Sequence, residues 1–511
     1  WRPEALYLLL YVALTGSQLF VRPIVGLADN GDFPKVLAPR AVCDPDNERD
    51  IFAYIYPTYA IRYNCRVGVS LLPSSESIFV RAIKLYCRWT GRTGFPITAA
   101  GAVHLTVMSS ALMVLLWSLH AVPPELRLCL PPLAILVFSD VAYVSYLNSF
   151  YMDVASMLFF LLTIALAVAW ALRPNPLVAM GYGAAGTLMG LSKTQHVISA
   201  FLLALLAAWF AVRAFRGGSR RIGRLWISAA TSIALAGLVT VERTPDDYKA
   251  EPMYSMIFYR LLPNLPNKLA ALRELGLPPE YAIFSGTHAY TPGAPIAQNW
   301  WRADFTARLS YRRAAMYFLE NPLVTLHVIE RAFKNDVPWI RPPGFGNYER
   351  RERLPPRTIA HRFALWSDLR SWLLLVFPLH IVILYAIVGG ASLLCAFRAS
   401  LAKRWPLYPM TLLLAAAGVV EFLLPILLDG TETSRHLFLF HVNTEVLILC
   451  VCAALLAHRR RSSREGSGSP SRDVNFFDLE GHQAIERTIT SSYPPRFLRL
   501  SLPSAPSRSR P

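Results

Sequence analysis

Long uninterrupted blocks of apolar residues most constrain what this chain can fold into. A helix needs about 20 such residues to cross the hydrocarbon core of a bilayer, and blocks of about that length recur along most of the sequence. We interpret them as about ten transmembrane helices and predict an all-α polytopic membrane protein. The predicted spans are residues 5–21, 95–120, 126–146, 154–172, 177–191, 197–215, 225–241, 372–397, 407–428 and 437–457.

Composition excludes a soluble domain and gives no support to a nucleic-acid partner. Of 511 residues, 54% are hydrophobic and only 16% are charged, so a soluble fold could not bury the apolar surface. The formal net charge of +18 is spread over short connections between apolar blocks. That distribution is typical of the cytoplasmic loops of a membrane protein, and we expect no nucleic-acid binding.

The basic connections predict the orientation in the membrane. Clusters of Arg and Lys follow the sixth, eighth and tenth predicted spans, which places all three connections on one side. The positive-inside rule makes that side cytoplasmic, and an even number of spans puts both termini there. The residues are Arg216, Arg220, Arg221, Arg224, Arg398, Lys403, Arg404, Arg459, Arg460 and Arg461.

Two large segments are predicted on the outer side. They are residues 22–94, here called the first loop, and residues 242–371, here called the cap. The cap contains an amphipathic stretch, 316–333, which predicts a helical piece that lies on the bilayer surface. Residues 1–457 thus form one transmembrane domain that includes both segments. Residues 458–511, rich in Ser, Arg and Pro, are predicted to be a disordered cytoplasmic tail.

Three of the seven cysteines lie in the first loop. In an oxidising outer compartment we expect a disulfide between Cys43 and Cys65, with Cys87 as the alternative partner. The sequence contains no Cys or His set with metal-ligand spacing.

Directly after the first span, Asp29-Asn30-Gly31-Asp32 places two carboxylates three residues apart. One interpretation is an ordinary turn followed by a helix N-cap, in which Asp is favoured for its bonds to the backbone. The other is a general base with a partner that orients a substrate or metal. The motif alone does not separate them.

Two further connections on the predicted outer side carry charged residues. Asp153 stands at the start of the fourth span, where N-capping alone would explain an acid. Lys193 and His196 lie in the tight connection between the fifth and sixth spans. A lysine that snorkels to lipid headgroups is the alternative interpretation there.

The connection before the last span contains Glu432, Arg435 and His436, for which a surface salt bridge between Glu432 and Arg435 is the simplest explanation. Within or near the spans are further acids that mark functional sites by default but suit hydrogen-bonded packing equally well. These acids are Asp140, Glu421 and Glu445.

The predicted topology brings these connections to one side at one depth. Carboxylates from two of them and cations from two others could line one cleft above the helices. Such a cleft suits an anionic headgroup, such as a lipid phosphate, held beside a base.

The pattern resembles the polytopic glycosyltransferases of the GT-C type, which use polyprenyl-phosphate-linked sugars. The likeness rests on the first-loop acids Asp29 and Asp32, the polar residues of the next connections, and the late Arg435 and His436. Asn30-Gly31-Asp32-Phe33, with residues 268–277 and Phe345-Gly346-Asn347-Tyr348, is most similar to bacterial glycan-biosynthesis hexose transferases. The resemblance as a whole covers about residues 5–457.

The resemblance implies transfer of a sugar from a polyprenyl-phosphate donor to a glycan, lipid or protein acceptor. The active site would face outward from the bacterial cytoplasmic (inner) membrane, among membrane lipids. The resemblance also assigns the catalytic base to Asp29 or Asp32, without choosing between them. No cofactor is established; a divalent cation stays open, because some members of the class use one. Donor and phosphate binding are assigned to Asp153, Lys193, His196, Arg435 and His436.

Two other classes of function compete with this one. A lipid or sugar transporter would show intramembrane charges and paired repeats of broken helices, and no such repeat is evident. A membrane scaffold without catalytic activity would not need acids and cations that converge on one face.

Overall fold

The structure, a computed structural model, describes residues 3–43, 50–62, 72–398, 400–401, 405 and 407–466. Regular structure in this part of the chain is almost entirely helical, which confirms the predicted all-α polytopic membrane fold. Seven helices of the described chain are long and apolar enough to cross a membrane. They are Ile97–Ala121, Met152–Leu172, Thr194–Arg216, Arg220–Glu242, Leu379–Phe397, Tyr408–Leu428 and Phe438–Arg459.

The described chain therefore holds fewer clear spans than the ten that were predicted. Pro124–Phe138 and Val141–Leu147 make an eighth if the two, bent by 64°, count as one. Pro3–Phe20 and Pro176–Gly190 are helical but are not among the seven. The second has 15 residues and covers about 22 Å, which is less than the roughly 30 Å of a hydrocarbon core.

The predicted span 372–397 is interrupted. One helix ends at Val376 and the next begins at Leu379, with Pro378 between them. Proline has no backbone N–H and clashes with the preceding turn, so it favours a break at this point. The apolar run continues across the break, which is why the sequence indicated a single helix.

The glycines of Pro176–Gly190 allow a close helix contact. A Cβ atom added at Gly183 would lie 3.0 Å from the Cβ of Ala229, and one at Gly186 would lie 2.5 Å from a side-chain carbon of Ile233. Both partners belong to Arg220–Glu242. These glycines therefore allow the two helices to pack closely against each other.

Side-chain hydrogen bonds hold the bend between Pro124–Phe138 and Val141–Leu147. Gln18 Nε2 donates to the Ser139 carbonyl (2.8 Å), and Asp140 accepts from the Ala142 N–H (2.9 Å) as the N-cap of the second half. Asp140 also accepts from the Ser367 N–H at 2.9 Å. These contacts satisfy backbone groups that the break exposes, and they give Asp140 a capping role.

The first loop contains a small sheet that the sequence analysis did not predict. Val42–Cys43, Thr58–Ile61 and Gly94–Pro96 pair antiparallel in that order, with Tyr59 opposite Phe95. The described part of the loop also contains two α-helices, Phe33–Leu37 and Glu76–Trp89, and a short 3-10 helix, Ala38–Arg40.

The disulfide prediction concerns Cys43, Cys65 and Cys87. Cys43 is disulfide-bonded, while Cys87 is a buried free thiol, so Cys87 is not its partner. Cys65 lies outside the described residues.

The cap is helical, and its apolar core also includes side chains of the membrane helices, such as Ile426 and Phe440. Its helices are Asp246–Ser255, Lys268–Glu274, Asn299–Arg308, Tyr311–Glu320 and Pro322–Asn335. In its core Trp301 stacks on Phe305, with ring centroids 5.2 Å apart. The predicted amphipathic stretch 316–333 is divided between two helices, because the chain breaks at Asn321 before Pro322.

The last helix extends from Phe438 to Gly466, so the predicted domain boundary at 457 falls inside it. Residues 467–511 of the predicted tail lie outside the described residues, as do Lys403 and Arg404 of the basic connection.

Candidate functional site

The first-loop motif forms a tight turn. Asp29 Oδ1 accepts from the N–H groups of Gly31 (2.9 Å) and Phe33 (3.1 Å), and Asn30 Oδ1 accepts from the Asp32 N–H (3.1 Å). Gly31 has a φ of 95°, a conformation that favours glycine. The turn interpretation is therefore right for the backbone. Asp32 stands at the N-cap position of Phe33–Leu37 without a capping bond, which leaves its carboxylate for side-chain partners.

A segment of the cap region holds this turn in place. Gly26 N–H donates to the Asn347 carbonyl (3.1 Å), and Ala28 N–H donates to the Gly346 carbonyl (2.9 Å). A Cβ atom at Gly346 would lie 2.0 Å from the Ala53 carbonyl oxygen, so only glycine fits this close approach. The first loop and the cap consequently share one side of the helices.

Asp32 lies between two cations. Its Oδ1 is 2.6 Å from Lys35 Nζ, and its Oδ2 is 3.0 Å from Arg435 Nη2. Burial alone would raise the pKa of this carboxyl, but the charges of Lys35 and Arg435 hold it well below its usual range. Asp32 is therefore a charged, strongly paired anion.

Asp153 joins three basic side chains at the start of Met152–Leu172. Lys193 Nζ donates to both of its oxygens (3.0 and 3.1 Å), Arg435 Nη1 lies 3.4 Å from Oδ2, and His196 Nε2 lies 3.4 Å from Oδ1. Asp153 is 1% exposed and Lys193 is 4% exposed. The four side chains come from three separate connections, and they form one buried network.

Glu421, in the span Tyr408–Leu428, extends the network into the helices. Its Oε2 lies 2.8 Å from His196 Nδ1, and its Oε1 accepts from Ser199 Oγ at 2.5 Å. Both ring nitrogens of His196 thus face carboxylates, and an imidazole that donates from both nitrogens carries a positive charge. His196 was predicted to help bind phosphate, but its visible contacts are with acids.

Arg435 is the most connected cation of the network. Its Nε donates to Glu432 Oε2 (2.8 Å), so the predicted salt bridge is present, but Arg435 is buried and the pair is not a surface one. Nη2 lies 2.7 Å from His436 Nε2. Glu432 also accepts from Asn30 Nδ2 at 2.7 Å, and His436 Nδ1 is paired with Asp429. Nearby carboxylates raise the pKa of Arg435 despite its burial.

An aromatic ring supports the arginine. The Arg435 guanidinium lies 4.9 Å from the ring centre of Tyr151, and the Tyr151 hydroxyl donates to the Ala28 carbonyl at 2.6 Å. Tyr151 therefore joins the arginine to the backbone just before Asp29.

The connection that carries Lys193 is anchored by the first loop. Ser74 Oγ donates to the Ser192 carbonyl (2.6 Å), and Ser75 N–H donates to the Leu191 carbonyl (2.9 Å). Buried Glu76 follows and pairs with His104 at 3.0 Å. No sequence motif marked these residues.

The chain matches the family model described as the YfdI N-terminal transmembrane domain over residues 1–472. It belongs to this family. No curated protein and no solved structure matches the chain. The YfdI N-terminal transmembrane domain includes the apolar helices, the first loop, the cap and every residue of the network.

The structure brings the predicted site residues of this YfdI-family chain together. Asp29 lies in the turn that carries Asp32, and the others take part directly in the ion-pair network. The sequence did not identify Lys35, Glu432 and Asp429 as site members, and it left Glu421 between two interpretations. Among the described residues, no group of His, Cys, Asp and Glu has the arrangement of a metal site. The predicted residues are Asp29, Asp32, Asp153, Lys193, His196, Arg435 and His436.

Proposed function

We propose that this chain is a GT-C-type membrane glycosyltransferase that transfers a sugar from a polyprenyl-phosphate-linked donor to an acceptor hydroxyl on the outer face of the membrane. The observation that carries the proposal is the position of Arg435 between Asp32 and Asp153. A buried guanidinium and the Lys193 ammonium beside it can bind a lipid phosphate, and the first-loop acids lie next to both.

Asp29 is the better candidate for the base. Both oxygens of Asp32 face cations that favour its charged form, which makes Asp32 a weak proton acceptor. Asp29 Oδ1 accepts from two backbone N–H groups, which fixes the orientation of this carboxylate. In the proposed step Asp29 takes the proton of the acceptor hydroxyl as its oxygen bonds to the anomeric carbon. The bond between that carbon and the phosphate oxygen breaks, and the lipid phosphate leaves with the electron pair.

Lys193 and Arg435 would stabilise the departing phosphate. Asp153 takes two of the three ammonium hydrogens of Lys193, so one donor can turn to a phosphate oxygen. At Arg435, Glu432 is the partner most easily displaced, because its side chain is 25% exposed while that of Asp32 is 11% exposed. Donor binding would thus exchange one anion for another at the guanidinium.

A panel of polyprenyl-phosphate sugars, incubated with the purified chain and lipid, protein or glycan acceptors, tests the proposal. We expect transfer from at least one donor, about 10²–10⁴-fold less with Asp29→Asn. An Asp29→Asn variant that binds donor normally and transfers at the parent rate would remove Asp29 from the base role. Absence of transfer across the whole panel would count against the function itself.

The broken span Pro124–Phe138 and Val141–Leu147 favours the transporter alternative, since discontinuous helices line many transport sites. At the break, however, the Ser139 carbonyl accepts a hydrogen bond from Gln18, and Asp140 accepts from the N–H groups of Ala142 and Ser367. These groups are therefore used within the protein and are not directed at a ligand site. A flippase assay with fluorescent polyprenyl-phosphate lipid in vesicles distinguishes the two: translocation without sugar transfer would support transport.

A further inference from the structure

One edge of the cap lies directly against the connection that carries the network. A Cβ atom at Gly430 would lie 2.2 Å from the carbonyl carbon of Ser255, so the two backbones are in contact. Ser255 Oγ accepts from the Ala289 N–H at 3.0 Å. Through these two contacts, the connection that includes Glu432 and Arg435 fixes the position of the cap segment that contains Tyr290.

The Tyr290 ring is exposed, but its hydroxyl is fixed by a hydrogen bond. The side chain is 62% exposed, and its hydroxyl donates to Glu251 Oε2 at 3.2 Å. One turn before Glu251, the ring of Tyr248 lies 4.9 Å from Lys35 Nζ, the partner of Asp32. Tyr290 and Glu251 therefore lie on the same part of the cap as Tyr248, which contacts the Lys35 partner of Asp32.

Electrostatics agree with this placement. Desolvation and the Glu251 carboxylate raise the pKa of Tyr290, and the carboxylates of Asp32, Asp429 and Glu432 raise it further. The phenol is therefore within electrostatic reach of the network although its ring is exposed.

An anchored aromatic ring beside a carboxylate is suited to a sugar. The ring offers a flat apolar face to the C–H groups of a pyranose, and the carboxylate accepts hydrogen bonds from its hydroxyls. A lipid chain would gain binding energy from contact with the ring but not from Glu251. A charged peptide would bind beside these carboxylates only through basic side chains of its own.

We propose that Tyr290 and Glu251 form an acceptor subsite that binds a sugar ring next to the transfer centre, so that the acceptor is a saccharide. The inference rests on the proposed function and narrows it, since lipid and protein acceptors were left open there.

Binding and kinetics together test the subsite in the full chain, reconstituted in nanodiscs. We expect the parent protein to bind saccharides on an array of soluble oligosaccharides. Tyr290→Ala should weaken that binding about tenfold, which corresponds to about 1.4 kcal/mol, whereas Tyr290→Phe keeps the ring and most of the affinity. Trp89→Ala, at an 85% exposed aromatic residue of the first loop, is the matched control and should bind like the parent.

In the transfer assay, Tyr290→Ala should raise the acceptor KM about tenfold and leave the donor KM unchanged. The subsite is overturned if the parent binds no saccharide, or if Tyr290→Ala binds and reacts like the parent. Binding that depends on Tyr290, without transfer from any polyprenyl-phosphate donor, would keep the subsite and reject the transferase. Equal losses with Trp89→Ala would show a general effect of exposed aromatic residues and would overturn it as well.

Discussion

Arg435 Nη2 lies 3.0 Å from Asp32 Oδ2, although the two residues come from opposite ends of the chain. The same guanidinium reaches Asp153 and Glu432, so one side chain joins the first loop, the start of a span and the connection before the last helix. Arg435, Asp32 and Asp153 are buried, whereas the Glu432 side chain is 25% exposed. A buried cation with several anionic partners holds the surrounding backbone segments at fixed separations.

Removal of Arg435 should have two effects. Arg435→Gln leaves Asp32 and Asp153 with one cation fewer, and we expect a loss of about 3–5 kcal/mol in the free energy of unfolding. Turnover should fall about 10²–10³-fold if the guanidinium stabilises a departing phosphate. Arg435→Lys, which keeps the charge but not the planar fork, should lie between the parent and Arg435→Gln.

The matched control for this prediction is Arg308→Gln. Arg308 is also paired with a carboxylate, Asp304, at 2.8 Å, but the pair is exposed. An exposed ion pair contributes little to stability, so stability and turnover should stay near the parent values. Equal losses in both variants, measured by thermal unfolding in detergent and by sugar transfer, would contradict a special role of Arg435.

The site was more predictable from the sequence than the number of spans. Asp29, Asp153, Lys193 and Arg435 stand beside apolar blocks, and alternation of sides along the chain was enough to bring them together. The predicted number of spans exceeds the observed one partly because of Pro176–Gly190, which is short, and the segment after Pro124, which is bent. Hydropathy measures apolar content and not where a helix ends or bends.

The partners of the predicted residues could not be read from sequence. Glu421 meets His196 only because two spans pack side by side, and Lys35 reaches Asp32 because a short helix begins at Phe33. Such contacts depend on helix rotation, which a single sequence without internal repeats does not specify. The small sheet of the first loop escaped prediction for a similar reason, since its strands have two to four residues.

Glu432 should compete with the donor phosphate. Its backbone has a φ of 51°, a left-handed conformation that costs a non-glycine residue about 1 kcal/mol or more. In Glu432→Gln the charge that opposes a phosphate at Arg435 is gone, so the donor should bind up to about fivefold more tightly, which corresponds to about 1 kcal/mol. Isothermal titration with polyprenyl phosphate measures the change.

Glu330→Gln is the control for Glu432→Gln, because Glu330 is an exposed cap acid paired with Lys334 and should leave donor affinity unchanged. Weaker donor binding by Glu432→Gln would show that Glu432 supports the phosphate site instead of occupying it.

Glu421 should act as a positioning residue through His196. Glu421→Gln keeps the size of the side chain but removes the charge that faces His196, so the contact from His196 to Asp153 loosens. We expect turnover to fall roughly 10- to 100-fold with little change in donor KM, since the residue does not face the donor. Ser199→Ala, which removes the other contact of Glu421, should have a smaller effect in the same direction. A purely structural role would instead lower stability and leave the turnover of the folded fraction intact.

The stability contributed by Asp32 should disappear in acid. Its folded-state pKa lies below the ordinary value of 3.8, because Lys35 and Arg435 favour the carboxylate. A lowered pKa means that the unfolded chain binds the proton more readily than the folded protein does. The stabilisation is therefore present above about pH 4 and is lost as pH falls further, by at most about 1.4 kcal/mol per pH unit for one group.

Asp32→Asn should be less stable than the parent at pH 6, and the gap in unfolding temperature should narrow toward pH 3. Asp246→Asn, at an exposed carboxylate whose side chain is 94% accessible, should keep a constant gap over the same range. A gap for Asp32→Asn that is equally wide at pH 3 and pH 6, measured by scanning fluorimetry in detergent, would show that the two cations do not hold Asp32 charged.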